Sequence, residues 1–89
     1  MKTAKEQQKT AKEMFEELGY ECNENEWDLT YSKTIINNQF YTSPITINFR
    51  KMIDETIEKY DFNGNSVPIN LLELKAINQQ CKELGWNNE

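Results

Sequence analysis

The residue types that most often perform chemistry in proteins are sparse in this 89-residue chain. It has no histidine, two cysteines (Cys22 and Cys81) and three isolated glycines. Without histidine there is no Ser–His or Cys–His nucleophile pair and no histidine-based metal site. Two cysteines are too few for a four-cysteine zinc site, and isolated glycines do not build a phosphate-binding loop. The sequence therefore predicts a protein that is not an enzyme and carries no cofactor or metal, although its 15 acidic residues leave carboxylate acid–base chemistry open.

The carboxylates are concentrated in one stretch. Residues 13–32 have a local net charge of −7 and no basic residue; the seven acidic residues, named here the acidic band, are Glu13, Glu16, Glu17, Glu21, Glu24, Glu26 and Asp28. One interpretation is a surface that steers and binds a protein with a basic surface, such as the nucleic-acid channel of a nuclease. The other is an ordinary solvated face, in which Lys9–Glu13 and Lys12–Glu16 pair weakly one helical turn apart.

Lysines precede this band. Residues 1–12 have a net charge of +3, from four lysines against Glu6. The lysines would form one outward stripe on a helix: Lys2, Lys5, Lys9 and Lys12. Such a stripe could touch phosphate groups. However, ten basic residues against 15 acidic ones, with Arg50 the only arginine, are unfavourable for nucleic-acid binding. We therefore expect a protein partner and keep the lysine stripe as the alternative.

A second candidate contact is the segment KTIINNQFYTS, residues 33–43. Ile36, Phe40 and Tyr41 lie there outside any clean alternation, and apolar and aromatic side chains on a loop are suited to a partner-binding hot spot. We predict these three as partner-binding residues. The alternative is that the apolar side chains close one end of the core while Asn37-Asn38 makes a hairpin turn.

A helix at each end of the chain is expected to position these residues. Thr3 and Glu6 are spaced as a capping box, and apolar residues follow at helical spacing as far as Leu18, which predicts a helix over about residues 4–18. Asn70 and Glu73 repeat the capping box near the other end. The predicted apolar stripe of that second helix is Leu71, Leu74, Ile77, Cys81 and Leu84. Both helices stop at a Leu-Gly-aromatic sequence, in EELGYE and KELGWN, where glycine favours the left-handed C′ position.

Strand patterns fill the region between the helices. Apolar and polar residues alternate with period two around Tyr20 and Cys22, from Trp27 to Tyr31 and from Ile45 to Phe49, as in half-buried antiparallel strands. A turn is expected at residues 23–25. Trp27 and Trp86 are expected in the core or capping a helix, with partner-binding anchors as the alternative. For residues 50–60 we favour a turn at 53–55 and a strand over about 56–62 before an Asn63-Gly64 hairpin turn, with a helix as the alternative.

These elements predict one α+β domain over residues 1–89: an N-terminal helix, a small antiparallel sheet of about four strands and a C-terminal helix, with both helices on one face. No stretch resembles a signal peptide or a membrane span, so a cytoplasmic location is expected. In that reducing compartment the two cysteines are expected to be free thiols.

Two end motifs carry a family resemblance: AKEMFEELGYE at residues 11–21 and LLELKAINQQCKELGW at 71–86, with Tyr60-Asp61-Phe62 between them. With these motifs the chain is similar to small, largely uncharacterised proteins encoded in phages and prophages of low-GC Gram-positive bacteria. The resemblance spans most of the chain except residues 34–43 and brings no catalytic residues. By analogy it supports what the charge pattern leads us to expect: a cytoplasmic protein of the bacterial host cell that binds another protein and inhibits a bacterial defence or host enzyme, as anti-CRISPR proteins inhibit nucleases. The alternatives are an accessory phage protein of DNA metabolism that uses the lysine stripe, and a homo-oligomeric structural module.

Overall fold

Two helices and four strands make up the computed structural model, which describes residues 9–38, 41–52 and 55–86. Their order is α1 (Ala11–Glu17), β1 (Glu21–Glu24), β2 (Asp28–Asn38), β3 (Tyr41–Arg50), β4 (Thr56–Tyr60) and α2 (Leu71–Leu84). The strands pair antiparallel in the order β1-β2-β3-β4, so β1 and β4 are the two edges of the sheet. Both helices pack on one face and contact each other. The predicted α+β fold is confirmed.

The first helix begins later than predicted. Thr10 is its N-cap, with an extended backbone; Thr10 Oγ1 accepts from the Glu13 N–H at 3.1 Å, and the Thr10 N–H donates to Glu13 Oε1 at 3.0 Å. The prediction of one unbroken helix over residues 4–18 is therefore wrong, because Thr10 is extended and its capping box begins this helix at Ala11; Thr3 and Glu6 lie outside the described residues. The helix stop was predicted correctly, since Gly19 follows with φ +94°.

The second helix has the predicted ends but a different buried face. Asn70 Oδ1 accepts from the Glu73 N–H at 2.8 Å, and Gly85 ends the helix with φ +80°. The predicted stripe is wrong at its first two positions, because Leu71 and Leu74 are 65 % and 44 % exposed. The buried residues are Glu73, Ala76, Ile77 and Gln80. Glu73 and Gln80 turn inward because buried tyrosine hydroxyls satisfy their oxygens.

The core is an aromatic cluster between the sheet and the helices. Phe15 of α1 stacks on Tyr31 of β2 with ring centroids 3.9 Å apart, and Phe49 of β3 meets both rings edge-on. Trp86 packs against Phe49 at 6.1 Å, which confirms its predicted place against the core. Alternate residues of β2 and β3 are buried, as the period-two pattern predicted.

Two predicted turns and one predicted strand are present, with bounds that differ slightly from the prediction. Asn25 turns the chain between β1 and β2, close to the expected position. Residues 56–60 form β4, so the strand predicted over about 56–62 is confirmed, although it ends two residues earlier, and the helix alternative is wrong. Residues 53 and 54 of the turn predicted before it lie outside the described residues. The turn at Asp61–Asn65 is present, but only one bridge, Tyr60 to Ser66, follows it instead of a strand.

The described residues also show the state of the two cysteines and whether any helix could span a membrane. Cys22 and Cys81 are free and half-buried against the core, as predicted. Burial raises the pKa of the Cys81 thiol. Among the helices of the described residues, none is long and apolar enough to cross a membrane.

Candidate functional site

The acidic band follows one side of the molecule. Glu13, Glu16 and Glu17 lie on the exposed face of α1, Glu21 and Glu24 on the edge strand β1, Glu26 in the following turn, and Asp28 at the start of β2. Helix α1 packs next to β1, so these consecutive elements keep the carboxylates near the same edge of the sheet. Glu21, Glu24, Glu26 and Asp28 therefore follow the β1 edge of the sheet, whereas Glu17 lines a groove between the two helices.

Three carboxylates of the band have partners within the molecule. Glu13 accepts the N-cap N–H of α1, Glu17 forms an ion pair with Lys9, and Glu24 forms one with Lys51 at 2.7 Å. The side chains of Glu16, Glu21, Glu26 and Asp28 make no hydrogen bond or ion pair with any residue that the structure describes. The expected Lys9–Glu13 and Lys12–Glu16 pairs are not formed. Four carboxylates of the acidic band thus have no ion pair or hydrogen bond within the described part of the chain.

The lysine stripe is not a continuous helical stripe in the described part of the chain. Lys9 precedes the Thr10 N-cap and is ion-paired with Glu17, whereas Lys12 lies in α1 beside a small cavity lined also by Glu24 and Glu83. Lys2 and Lys5 lie outside the described residues. The two lysines that are described each have carboxylates nearby, which weakens their attraction for phosphate.

The second predicted contact, the segment of residues 33–43, extends along the β2–β3 hairpin away from Asp28. Ile36 and Tyr41 belong to β2 and β3, whose pairing continues to Asn38 and Tyr41, while Phe40 lies outside the described residues. Asn37 and Asn38 are in β2, so the alternative that placed the hairpin turn there is wrong. Eight residues of strand separate Ile36 from Asp28, about 26 Å at ~3.3 Å per residue. Asp28 and Ile36 therefore lie near opposite ends of the β2–β3 hairpin, whereas Glu21 of the acidic band pairs with Ser32 in the middle of β2.

A residue that the sequence placed in the core lies instead beside the acidic band. Trp27 is 57 % exposed, so its predicted core position is wrong. The reason is local: the Asn25 side chain holds residues 25–28 in a turn, and β2 begins only at Asp28. Trp27 is thereby removed from the alternation that buries Leu29 and Tyr31.

The backbone that carries Trp27 is held by four hydrogen bonds. Asn25 Oδ1 accepts from the N–H groups of Trp27 and Asp28, both at 2.8 Å, and the Asn25 N–H donates to the Asp28 carbonyl at 2.9 Å. The Trp27 carbonyl accepts from the Lys51 N–H at 2.9 Å, which ties the turn to the end of β3. An exposed indole thus stands on a fixed backbone.

A second exposed apolar side chain lies beside this turn. Met52 follows Lys51 directly and is 60 % exposed. The Lys51 N–H binds the Trp27 carbonyl and the Lys51 side chain reaches Glu24 on the edge strand β1, so Lys51 connects Trp27 and Met52 to the acidic band. We name this group the Trp27 surface; its members are Trp27, Met52, Glu24, Glu26 and Asp28. The signal for it in the sequence was Asn25, whose turn-forming side chain precedes the indole by two residues.

Buried polar groups lie elsewhere, under α2. Glu73 accepts from the Tyr20 hydroxyl at 2.8 Å and from Lys59 Nζ at 2.6 Å, and Gln80 Oε1 accepts from the Tyr31 hydroxyl at 2.5 Å. Burial favours a raised pKa for Glu73, but hydrogen bonds from Lys59 and Tyr20 outweigh it, so the pKa is lowered. Burial, reinforced by Glu73, raises the pKa of Tyr20. These groups satisfy one another's hydrogen-bonding capacity, so they stabilise the fold.

The described residues contain no group of three or more cysteine or acidic side chains that could hold a metal ion. Comparison with known proteins adds no assignment: no protein-family model, no curated protein and no solved structure matches the chain.

Proposed function

We propose that this protein acts by binding another protein, not by catalysis, and that its contact is the Trp27 surface. The observation that supports this most directly is the exposed indole of Trp27 on a turn fixed by four hydrogen bonds. Tryptophan is enriched among hot-spot residues, and a fixed backbone avoids the entropy cost of ordering a loop on binding.

The energy available at Trp27 is large for one side chain. A tryptophan offers up to about 250 Å² of contact area, and roughly half of it is exposed here, so its burial by a partner would contribute about 3 kcal/mol. Met52 adds a second apolar contact. Glu26 and Asp28 flank Trp27 in the sequence, and Glu24 pairs with Lys51 next to Met52. We expect these charged residues to form the polar rim that usually surrounds the apolar centre of an interface.

Charge indicates the chemistry of the partner. The chain has a net charge of −5, and Glu26 and Asp28, whose side chains pair with no described residue, flank Trp27 in the sequence. Such a surface favours encounter with a basic protein surface and disfavours acidic ones. The partner we propose is a bacterial host or defence enzyme whose basic surface binds nucleic acid.

Inhibition is the proposed consequence of that binding. A carboxylate-rich surface that occupies a basic nucleic-acid channel competes with phosphate groups for the same lysines and arginines. The resemblance to small phage proteins supports an inhibitor of a bacterial nuclease, of the anti-CRISPR type, by analogy. The proposed setting is the cytoplasm of the bacterial host cell.

The experiment is affinity capture of the tagged protein from a bacterial host lysate, with and without nuclease treatment. We expect a stoichiometric host protein that survives nuclease, and we expect Trp27→Ala to weaken its binding at least about thirtyfold, as a hot-spot loss of 2 kcal/mol implies. Charge reversal at Glu26 and Asp28 to lysine should weaken it further and make the remaining binding less sensitive to salt.

A matched control is Ile35→Ala, which removes an exposed apolar side chain at the far end of the hairpin. It should leave capture unchanged. Capture that survives Trp27→Ala but is lost with Ile35→Ala would overturn the assignment in favour of the hairpin segment. Partners lost after nuclease treatment would instead support nucleic-acid binding through the lysine stripe.

A further inference from the structure

Exposed apolar side chains are concentrated in the connection from β4 to α2 and in the first turn of α2. Of the large hydrophobic side chains exposed among the described residues, five fall within residues 62–74: Phe62 (75 %), Ile69 (46 %), Leu71 (65 %), Leu72 (58 %) and Leu74 (44 %). Residues 62–72 contain no charged residue, and Glu73 is buried against Lys59. Leu72 lines a groove between the two helices with Met14 and Leu18. We name the other four residues the β4-edge patch.

The turn that carries Phe62 is held by hydrogen bonds. Asp61 Oδ1 accepts from the N–H groups of Asn63 at 2.9 Å and Asn65 at 3.0 Å, and the Gly64 N–H donates to the Asp61 carbonyl at 2.9 Å. Behind the turn lies a groove of about 370 Å³, lined by Ile57, Tyr60, Val67 and Ile69 and also by the oppositely charged Glu58 and Lys59. Phe62 and this groove therefore provide a projecting aromatic ring and a recess on one edge of the molecule.

The size of the patch suits a weak dimer. Its four side chains expose on the order of 400 Å² of apolar area, which is within the range of the largest patch on a typical monomer and is often functional there. A standard interface buries ~800 Å² on each partner, of which roughly 60 % is apolar. The exposed apolar area is thus close to what one side of such an interface needs.

The charge distribution favours a second copy as the occupant. The acidic band lies around β1, and the β4-edge patch lies at the opposite edge of the sheet. Two copies, each with net charge −5, repel each other where acidic sides meet, and least where uncharged patches meet. A strongly charged partner gains no complementary contact from an uncharged patch. We therefore propose that two copies associate about a two-fold axis through the β4-edge patch.

The contact would be made by side chains. At the end of β4, the Lys59 carbonyl already accepts from the Val67 N–H at 3.1 Å, and Tyr60 is bridged to Ser66. A strand added there would have to displace this pairing. In a two-fold arrangement the Phe62 ring of one copy can instead enter the groove of the other, and the same contact is repeated by symmetry. Both acidic sides then point outward, which makes the dimer bivalent.

Sedimentation equilibrium over a concentration series tests this inference. We expect a monomer–dimer equilibrium that Leu71→Glu and Phe62→Glu each weaken at least about tenfold, because each substitution places like charges near one another across the axis. Ile35→Glu is the matched control, since it changes charge by the same amount at an exposed apolar position elsewhere. The control should leave the dissociation constant within about twofold, given that surface substitutions are usually small in effect. Circular dichroism verifies that each variant is folded.

A second measurement uses the unmodified chain. Added salt should tighten the dimer, because it screens the repulsion between two net-negative copies while leaving the apolar contact in place. A monomer at every concentration would overturn the proposal, and so would equal weakening by Ile35→Glu or growth beyond a dimer. The test is independent of the Trp27 surface, so failure of one proposal does not affect the other.

Discussion

Replacement of Glu73 by glutamine is expected to destabilise the fold by about 3 kcal/mol. The carboxylate accepts from Lys59 Nζ at 2.6 Å, from the Tyr20 hydroxyl at 2.8 Å and from the Asn70 N–H at 3.2 Å. The Glu73 and Lys59 side chains are 3 % and 7 % exposed, so neither can find water when its partner is changed. The substitution leaves a buried ammonium group without its counter-charge.

The magnitude follows from that burial. Removal of one partner of a buried ion pair costs about 3–5 kcal/mol, and glutamine keeps one acceptor oxygen, so the lower end applies. For an 89-residue chain the whole stability is roughly 4–13 kcal/mol. A loss of 3 kcal/mol should lower the Tm by about 12–24 °C. The double variant Lys59→Met/Glu73→Leu should cost less than the single one, because it removes both charges and leaves only neutral groups without their partners: the Tyr20 hydroxyl, the Asn70 N–H and the Pro68 carbonyl.

Urea denaturation, measured as a function of pH, checks the predicted loss in the free energy of unfolding. The lowered pKa of Glu73 means that its stabilisation is fully present above the unfolded value of about 4.5 and is lost as the pH falls through the lower folded value. The difference between the native chain and Glu73→Gln should therefore narrow in acid below about pH 4.5. A loss under about 1 kcal/mol at neutral pH, or a double variant that is worse than the single one, would refute the reasoning.

Three further outcomes are expected. Burial raises the pKa of Tyr20 and of Tyr31, where Cys22 adds to the effect, so alkaline titration of tyrosine absorbance should show a late stage that Tyr20→Phe and Tyr31→Phe each reduce. Asn70→Ala should cost about 1 kcal/mol in urea denaturation by loss of the α2 N-cap, whereas Asn78→Ala, at an exposed position inside the same helix, should cost nothing or stabilise slightly. Gly85→Ala should lower stability by about 1 kcal/mol, because φ is +80° there; a variant as stable as the native chain would contradict a left-handed cap.

Helix ends and strand periods were predictable because they depend on neighbouring residues. The Asn70–Glu73 capping box, the stops at Gly19 and Gly85 and the strand at residues 56–60 all follow from side chains within a few positions. Thr10–Glu13 shows the limit of such signals: two capping boxes lie within the first 13 residues, and only the second begins α1.

The buried face of α2 was not predictable from its own residues. Hydropathy favoured Leu71 and Leu74 as inward positions, but the structure buries Glu73 and Gln80. Those two polar groups are tolerated inside because Tyr20, Lys59 and Tyr31 come from distant parts of the chain to satisfy them. Tertiary hydrogen bonds therefore decided the orientation, and the exposed leucines of the β4-edge patch are a consequence.

The candidate site was predicted in part. Composition located the acidic band, but Trp27 was assigned to the core because its spacing to Leu29 and Tyr31 continues the strand pattern. Whether the pattern includes residue 27 depends on where the preceding turn ends, which the two hydrogen bonds to Asn25 Oδ1 determine. A period-two pattern does not by itself locate its own first residue.

The most direct test of the proposed function is site-specific photo-crosslinking in a bacterial host lysate. A benzophenone amino acid is placed at position 52, beside Trp27, and in a matched variant at position 35, at the far end of the β2–β3 hairpin. We expect one crosslinked host protein from position 52, none from position 35, and loss of the product when Trp27→Ala is added. Crosslinks from position 35 alone, or a product from position 52 that is indifferent to Trp27→Ala, would contradict partner binding through the Trp27 surface.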